Sequence, residues 1–309
     1  MTRGAGVGVF SALGKLFGRK PKSAFATRLK NVERTRIADR FELDNRLGQG
    51  SMSKVFRARD KKLGRTVCLK ILDKVKTERF EARFVGLQRP HEGIVSTSFR
   101  HRNCVHTYEW GITSDGEIFL VMELIEGVGL NFLIETEARQ LHGNRFNYLI
   151  QATDGLEYIH QQNYIHRDIC PRNMMVNRDD VLKLIDFGLA VPNTADFRKP
   201  GNRTGTANYM APELIKRLTT DQRVDLFALG MTAFETFTGR LPWEGSQSLQ
   251  TMLSHLNDPG RDPLDINPKL PKPVATMLSK AVERDPRDRY QTATEFKQVL
   301  RDLKAKYPL

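Results

Sequence analysis

The run HRDICPRN at 166–173, followed by DFG at 186–188, constrains this chain more than any other stretch. It sets a carboxylate (Asp168), an amide (Asn173) and a second carboxylate (Asp186) in a fixed order, with the strand-like LKLI at 182–185 between them. Asp168 is suited to orient a hydroxyl group. Asn173 and Asp186 carry the oxygen atoms that a hard cation such as Mg²⁺ prefers. Either motif alone is weak. Both in this order and spacing describe a phosphoryl-transfer site.

Composition sets the outer bounds. With 309 residues, 39% apolar and 28% charged, the chain has enough material for a large core in one bilobal domain or two domains. Cys68, Cys104 and Cys170 are odd in number and lack metal-ligand spacing, which predicts a reducing compartment and no disulfide framework. No apolar run is long enough to cross a bilayer as a helix. The net charge of +13 is unevenly spread: residues 1–40 hold ten Lys/Arg against two Asp/Glu.

Within this basic arm, Val9, Phe10, Leu13, Leu16 and Phe17 recur at helical spacing beside Lys15, Arg19, Lys20 and Lys22. Two readings follow. One is a solvated tail; the other is weak association of residues 1–25 with an anionic membrane surface. Interspersed glycines weaken such a helix. The interrupted apolar stretch disfavours a signal peptide, and Thr2 excludes N-myristoylation. No aromatic–basic interleaving supports nucleic-acid binding. The expected location is cytoplasmic, peripheral to the inner membrane face if the arm binds lipid.

From 41 to about 122 the pattern is strand-rich: FELDNRL alternates, and KVFRARD, RTVCLKIL, CVHTYEWG and EIFLVMEL follow. A charged amphipathic segment at 78–99 reads as one helix. After Gly127 the pattern turns helical, over 144–162, 221–238, 246–257, 272–283 and 294–305. Together with HRDICPRN and DFG, this order resembles the protein kinases, in the bacterial-type serine/threonine form. The resemblance implies an α+β, bilobal fold with a five-stranded N-lobe, one main helix there, and a mostly helical C-lobe. The implied organisation is an arm at 1–40 and a kinase domain at 41–305, divided into N-lobe 41–122, hinge 123–128 and C-lobe 129–305.

The other motifs extend the resemblance. In LGQGSMSKV at 47–55, Gly48 and Gly50 let a hairpin approach phosphates, and Ser53 stands where the family has a third glycine. Leu47 and Val55 would flank the adenine. In VCLK at 67–70, Lys70 would contact the α- and β-phosphates, and Cys68 would lie against the adenine as a small apolar wall with an electrophile-accessible thiol. Glu92, nine residues before His101, is the expected partner of Lys70. Pro90 limits the helix there, and Ser96 is polar where the family packs an apolar group, which suggests a mobile helix. In VMELIEG at 121–127, Met122 would stand behind the adenine, the backbone of Glu123 and Ile125 would bind its edge, and Met175 would form part of the same site.

The resemblance makes Asp168 the base, with His166 and Arg167 supporting it, and Asn173 and Asp186 the metal ligands. Cys170 departs from the pattern, since serine/threonine kinases usually have a lysine there that contacts the γ-phosphate. Arg172 is the expected substitute, because a guanidinium binds phosphate well. GTANYMAPE at 205–213 is the serine/threonine form of the substrate segment, with Thr206 near Asp168. Glu213 should pair with Arg289, and Asp225 should anchor the catalytic loop. Thr204, near Arg198, Lys199 and Arg203, is the expected activation-loop phosphorylation site, with Thr194 second. The expected activity is transfer of the γ-phosphoryl of MgATP to serine or threonine hydroxyls of proteins, including the chain itself. The competing readings are an ATP-binding pseudokinase scaffold and a kinase-like fold acting on a small molecule.

Overall fold

The computed structural model describes residues 32–49, 52–84, 86–87, 89–201, 204–243 and 248–308. Two short elements, β1 (Arg34–Thr35) and α1 (Ile37–Arg40), come first. They lead into β2 (Phe41–Gln49), β3 (Ser53–Asp60) and β4 (Arg65–Leu72), whose alternating patterns put Phe41, Ala58, Val67 and Leu69 inside. After α2 (Lys74–Glu81) and α3 (Glu92–Ser98) come β5 (Thr107–Thr113) and β6 (Ile118–Met122). The six strands form one sheet in the order β1-β5-β6-β4-β3-β2.

This sheet has one strand more than the sequence predicts. The addition is β1, which pairs in parallel with the edge of β5, Arg34 opposite Ile112. Arg40 just beyond it explains the docking. Its Nε and Nη2 donate to the Asp60 carboxylate at 3.0 and 2.6 Å, and its Nη1 donates to Glu109. Asp60 is fully buried, so its charge requires that partner.

The helix expected over 78–99 is broken in two. Asp73 caps α2 by accepting from Lys76 N at 2.9 Å, and a 3₁₀ turn at Ala82–Phe84 ends the first part. Gly86 takes a left-handed φ of +82°. Pro90 supplies no N–H and pushes the preceding residue out of helical conformation, so the chain restarts only at Glu92.

The rest is mainly helical. β7 (Gly127–Gly129) leads to α4 (Leu130–Glu135) and α5 (Arg145–Gln161). Four short strands follow: β8 (Tyr164–Ile165), β9 (Met174–Asn177), β10 (Leu182–Leu184) and β11 (Val191–Pro192). Then come α6 (Ala195–Arg198), α7 (Pro212–Ile215), α8 (Arg223–Thr238), α9 (Ser248–Asn257), α10 (Pro263–Ile266), α11 (Lys272–Ala281) and α12 (Ala293–Lys306). The long helices lie within a few residues of the predicted spans.

Helix α8 is buried around nearly its whole circumference, as expected of an apolar central helix. It ends at Gly239, whose φ of +72° gives the left-handed cap that stops a helix. One apolar core runs from Leu72, Val95 and Leu120 under the sheet, through Leu149, Leu156 and Phe187, to Phe234, Leu278 and Phe296. The sheet and the helical part therefore share a core at the level of the catalytic motifs.

Candidate active site

Strand pairing sets the upper wall of the site. Gly48 lies opposite Val55, Val55 opposite Lys70, and Cys68 opposite Met122. Val55, Cys68 and Met122 thus converge, with Met122 buried and the other two half-buried. Leu47 and Gly48 stand exposed at the rim, and a Cβ on Gly48 would meet nothing. Gly50 lies outside the described residues. Burial pushes the Cys68 thiol up to about 11, so it is an apolar wall and not a thiolate at neutral pH.

At the linker between the two parts, Glu123 N donates to the His106 carbonyl at 2.9 Å. The Glu123 side chain accepts from His106 N and from Lys183, each at 2.7 Å. Among the described residues, the Ile125 N–H makes no hydrogen bond and remains a candidate donor to an adenine edge. Met175 pairs across β7 and β9 with Gly129 and forms part of the floor. A Cβ on Gly127 would lie 2.0 Å from the Val176 carbonyl oxygen, so only glycine allows β7 this close to β9.

Lys70 is the electrostatic centre. Its Nζ lies 2.6 Å from Glu92 Oε1 and 3.1 Å from Asp186 Oδ2. Burial disfavours its ammonium, but the Asp186 and Glu92 carboxylates outweigh this and raise its pKa. Burial pushes Asp186 the other way, yet Lys70 and the Gly188 N–H hold it below the usual carboxylate range. Glu92 is therefore the partner predicted from sequence, although it opens a helix of seven residues and not a long one. Ser96 is buried on that helix.

The catalytic loop is held from three directions. Asp225 on α8 accepts from His166 N at 2.8 Å and Arg167 N at 2.7 Å. His160 on α5 contacts the same carboxylate at 2.9 Å, a partner that sequence reasoning missed. Asn173 Nδ2 donates to the backbone oxygen and Oδ2 of Asp168, both at 2.8 Å. Thr206 donates to Asp168 Oδ1 through its N–H at 2.9 Å and its hydroxyl at 2.7 Å. Asn173 Nδ2 is thus spent on Asp168, which leaves its Oδ1 as the side-chain atom available to a cation. The β9–β10 hairpin closes with Ile185 N donating to the Asn173 carbonyl, which brings Asp186 beside Asn173.

Two positions differ in character. Cys170 is buried, with Sγ 3.9 Å from Thr206 Oγ1, and burial plus the Asp168 charge push it up to about 12. Arg172 is exposed, with no hydrogen bond or ion pair among the described residues. Its charge acts on Tyr209 and Glu235, whose hydroxyl and carboxylate meet at 2.5 Å. Sequence reasoning missed that pair, because a tyrosine and a glutamate 26 residues apart carry no local signal.

In the activation segment, Arg167 Nη2 donates to the Phe197 carbonyl at 2.7 Å, and burial lowers its pKa to about 10. Its other two guanidinium nitrogens are buried without partners among the described residues. Thr204 is buried too, its hydroxyl unpartnered there, whereas Thr194 is exposed. Arg203 lies outside the described residues. Arg289 forks onto Glu213 with two bonds of 2.8 Å, as predicted.

The oxygen donors fit a hard divalent ion: an amide oxygen and a carboxylate side by side, completed in such sites by phosphate oxygens and water. No cluster of three or more His, Cys, Asp or Glu that could bind a metal without them occurs among the described residues. No helix among those residues is long and apolar enough to cross a membrane.

Comparison with known proteins agrees with this geometry. The protein kinase domain family matches residues 41–301. The chain is 33% identical over 263 residues to a probable serine/threonine-protein kinase of Clostridium perfringens, covering 84% of this chain and 38% of that protein. It is 32% identical over 274 residues to the serine/threonine-protein kinase PknB of Mycolicibacterium smegmatis, covering 84% and 42%. It is 30% identical over 264 residues to the serine/threonine-protein kinase PrkC of Bacillus subtilis, covering 84% and 40%. The chain spans about two-fifths of the length of these relatives. By the extent of the match and by the motifs that form the site, this chain belongs to the protein kinase family.

Proposed function

We propose that this chain transfers the γ-phosphoryl group of ATP, bound with Mg²⁺, to serine and threonine hydroxyls of proteins, including its own. The observation that carries the proposal is the Asp168 carboxylate, held by Asn173 on one oxygen and Thr206 on the other, in a chain whose Lys70 is paired with both Glu92 and Asp186. A pseudokinase scaffold has no need of both arrangements.

Each residue then has a definite task. Asp168 orients the substrate hydroxyl and accepts its proton. Lys70, kept protonated by its two carboxylates, holds the nucleotide phosphates. Asn173 Oδ1 and Asp186 hold the metal, which offsets charge on the phosphates. Leu47, Val55, Cys68, Met122 and Met175 enclose the base, and the backbones of Glu123 and Ile125 bind its edge. Gly48 and Gly50 let the β2–β3 turn close over the phosphates. Glu92 positions Lys70. Arg172 supplies the cation that Cys170 does not. Thr206 and the GTANYMAPE segment favour serine or threonine acceptors, in keeping with the names of the relatives. Phosphorylation at Thr204, read by Arg167, remains part of the proposal and requires the buried hydroxyl to emerge first.

The domain division at 40, 122 and 128 and the membrane role of residues 1–25 are proposed on sequence grounds. Residues 1–25 lie outside the described residues. Cosedimentation of full-length and arm-deleted protein with anionic vesicles tests that role; equal recovery would return the arm to a solvated tail. The central test is incubation with Mg²⁺ and labelled ATP, with phosphosite mapping on the chain and on a generic basic protein. Label on serine and threonine supports the proposal. Nucleotide binding without transfer would favour the scaffold reading.

A further inference from the structure

The broken helix leaves a mechanical problem. Glu92 must hold Lys70 from a helix of only seven residues, too short to be stable by its own hydrogen bonds. A buried arginine three residues earlier supplies another anchor. Arg89 Nη1 donates to Glu81 Oε1 at 2.5 Å, and Nη2 donates to the carbonyl oxygen of Gly188 at 2.5 Å. The guanidinium lies over the rings of Phe80 and Phe84, at 4.9 and 5.3 Å. Its side chain is 1% exposed.

These contacts close a circuit. Gly188 N donates to Asp186 Oδ1 at 2.9 Å, Asp186 meets Lys70, and Lys70 meets Glu92. From Glu92 the chain runs back through His91 and Pro90 to Arg89. That link is stiff: proline restricts Arg89, and His91 packs edge-on against Trp110 at 4.3 Å. Gly188 is also close-fitting, since a Cβ there would lie 3.0 Å from Glu92 Oε2. The circuit borders a cavity of about 100 Å³ that Lys70, Glu92, Asp168 and Asp186 also line.

We infer that Arg89 is a positioning residue for Asp186, bridging Glu81 on α2 to the Gly188 carbonyl so that Asp186 and Glu92 reach Lys70 together. The inference rests on the proposed kinase reading of Lys70 and Asp186. A guanidinium suits the task because its rigid planar fork aims two separate nitrogens at the two acceptors, whereas a lysine would bring one nitrogen on a shorter, flexible stem. Burial against a pair of aromatic rings fixes the fork, so loss of Gly188 from its grip frees the carbonyl and the turn that carries Asp186.

The test uses the full chain with Arg89→Met, Arg89→Lys and Glu81→Gln, each checked by thermal melting. Two readouts do not depend on turnover: titration of fluorescent ADP with and without Mg²⁺, and hydrogen exchange over 186–190. For Arg89→Met, Mg²⁺-dependent affinity should fall roughly tenfold and exchange at 188–189 should rise about as much, the scale of a lost hydrogen bond to a charged group. Metal-free affinity should hardly move. Arg89→Lys should resemble Arg89→Met. Glu81→Gln, which keeps shape and volume, should give a smaller change in the same direction, and it decides the matter if Arg89→Met folds poorly. Full rescue by Arg89→Lys, or unchanged Mg²⁺ dependence and exchange in both Arg89→Met and Glu81→Gln, would overturn the inference. A wild-type protein that binds MgADP yet transfers no phosphate would instead sink the kinase reading.

Discussion

The two oxygens of Asp168 are held from different segments, one by Asn173 five residues on and the other by Thr206 of the GTANYMAPE run. Asp168→Asn should preserve that geometry in large part while removing the proton acceptor. We expect transfer to fall ~10²–10⁴-fold, with ADP affinity nearly unchanged; labelled-ATP assays and nucleotide titration check this. Undiminished turnover would remove Asp168 from the mechanism. Arg172 poses a different question, because it is exposed, carries no hydrogen bond among the described residues and is felt electrostatically by the Tyr209–Glu235 pair. If it meets the moving phosphoryl charge, Arg172→Ala should lower kcat more than it raises KM for ATP, and adding Cys170→Lys should restore much of the rate. A change confined to KM for the protein substrate would place Arg172 with Glu235 in peptide recognition.

At the scale of elements, the closest backbone approach between β7 and β9 is at Gly127. Gly127→Ala must force β7 away from β9, and we expect a loss of about 1–3 kcal/mol, the scale of overpacking, measured by chemical denaturation. An unchanged midpoint would mean that the strands separate without cost. The elements legible in the sequence are those with a strong period: the strands of β2–β6, and α5, α8, α11 and α12. The catalytic motifs were legible because their chemistry is concentrated in short runs. The Lys70–Glu92 pair was found by counting back from His101. What was not legible depends on contacts between distant segments. Periodicity over 78–99 cannot show that Pro90 and Gly86 win over helix propensity. Nothing near Arg34 announces a strand, since β1 depends on distant partners: its pairing with β5, the Ser114 contacts, and the neighbouring Arg40 on Asp60 and Glu109. Arg89 carries no signal in the sequence, because its acceptor, Gly188, lies 99 residues on.

Across the whole molecule, acid should act through histidines as well as carboxylates. Burial lowers the pKa of His166, despite Asp225, and of His255, whose Nδ1 lies 2.9 Å from the Met210 carbonyl. In the unfolded chain each binds a proton below about 6.5, whereas the folded chain resists. Unfolded protein therefore takes up more protons as pH falls, so stability present above that value is lost below it. The melting temperature should drop between pH 7.5 and 5.5, and His255→Asn should reduce the slope by up to about one proton. An unaltered slope would show that His255 is protonated in the fold. The family match starts at Phe41, which invites a cut there. Such a cut removes Arg40 and leaves Asp60 as a buried anion with only the N–H groups of Lys62 and Leu63 for company. Stranding one member of a buried pair costs ~3–5 kcal/mol. A protein begun at Phe41 should be markedly less soluble on expression than one begun a few residues before Arg34. Equal yields would make the docked arginine dispensable.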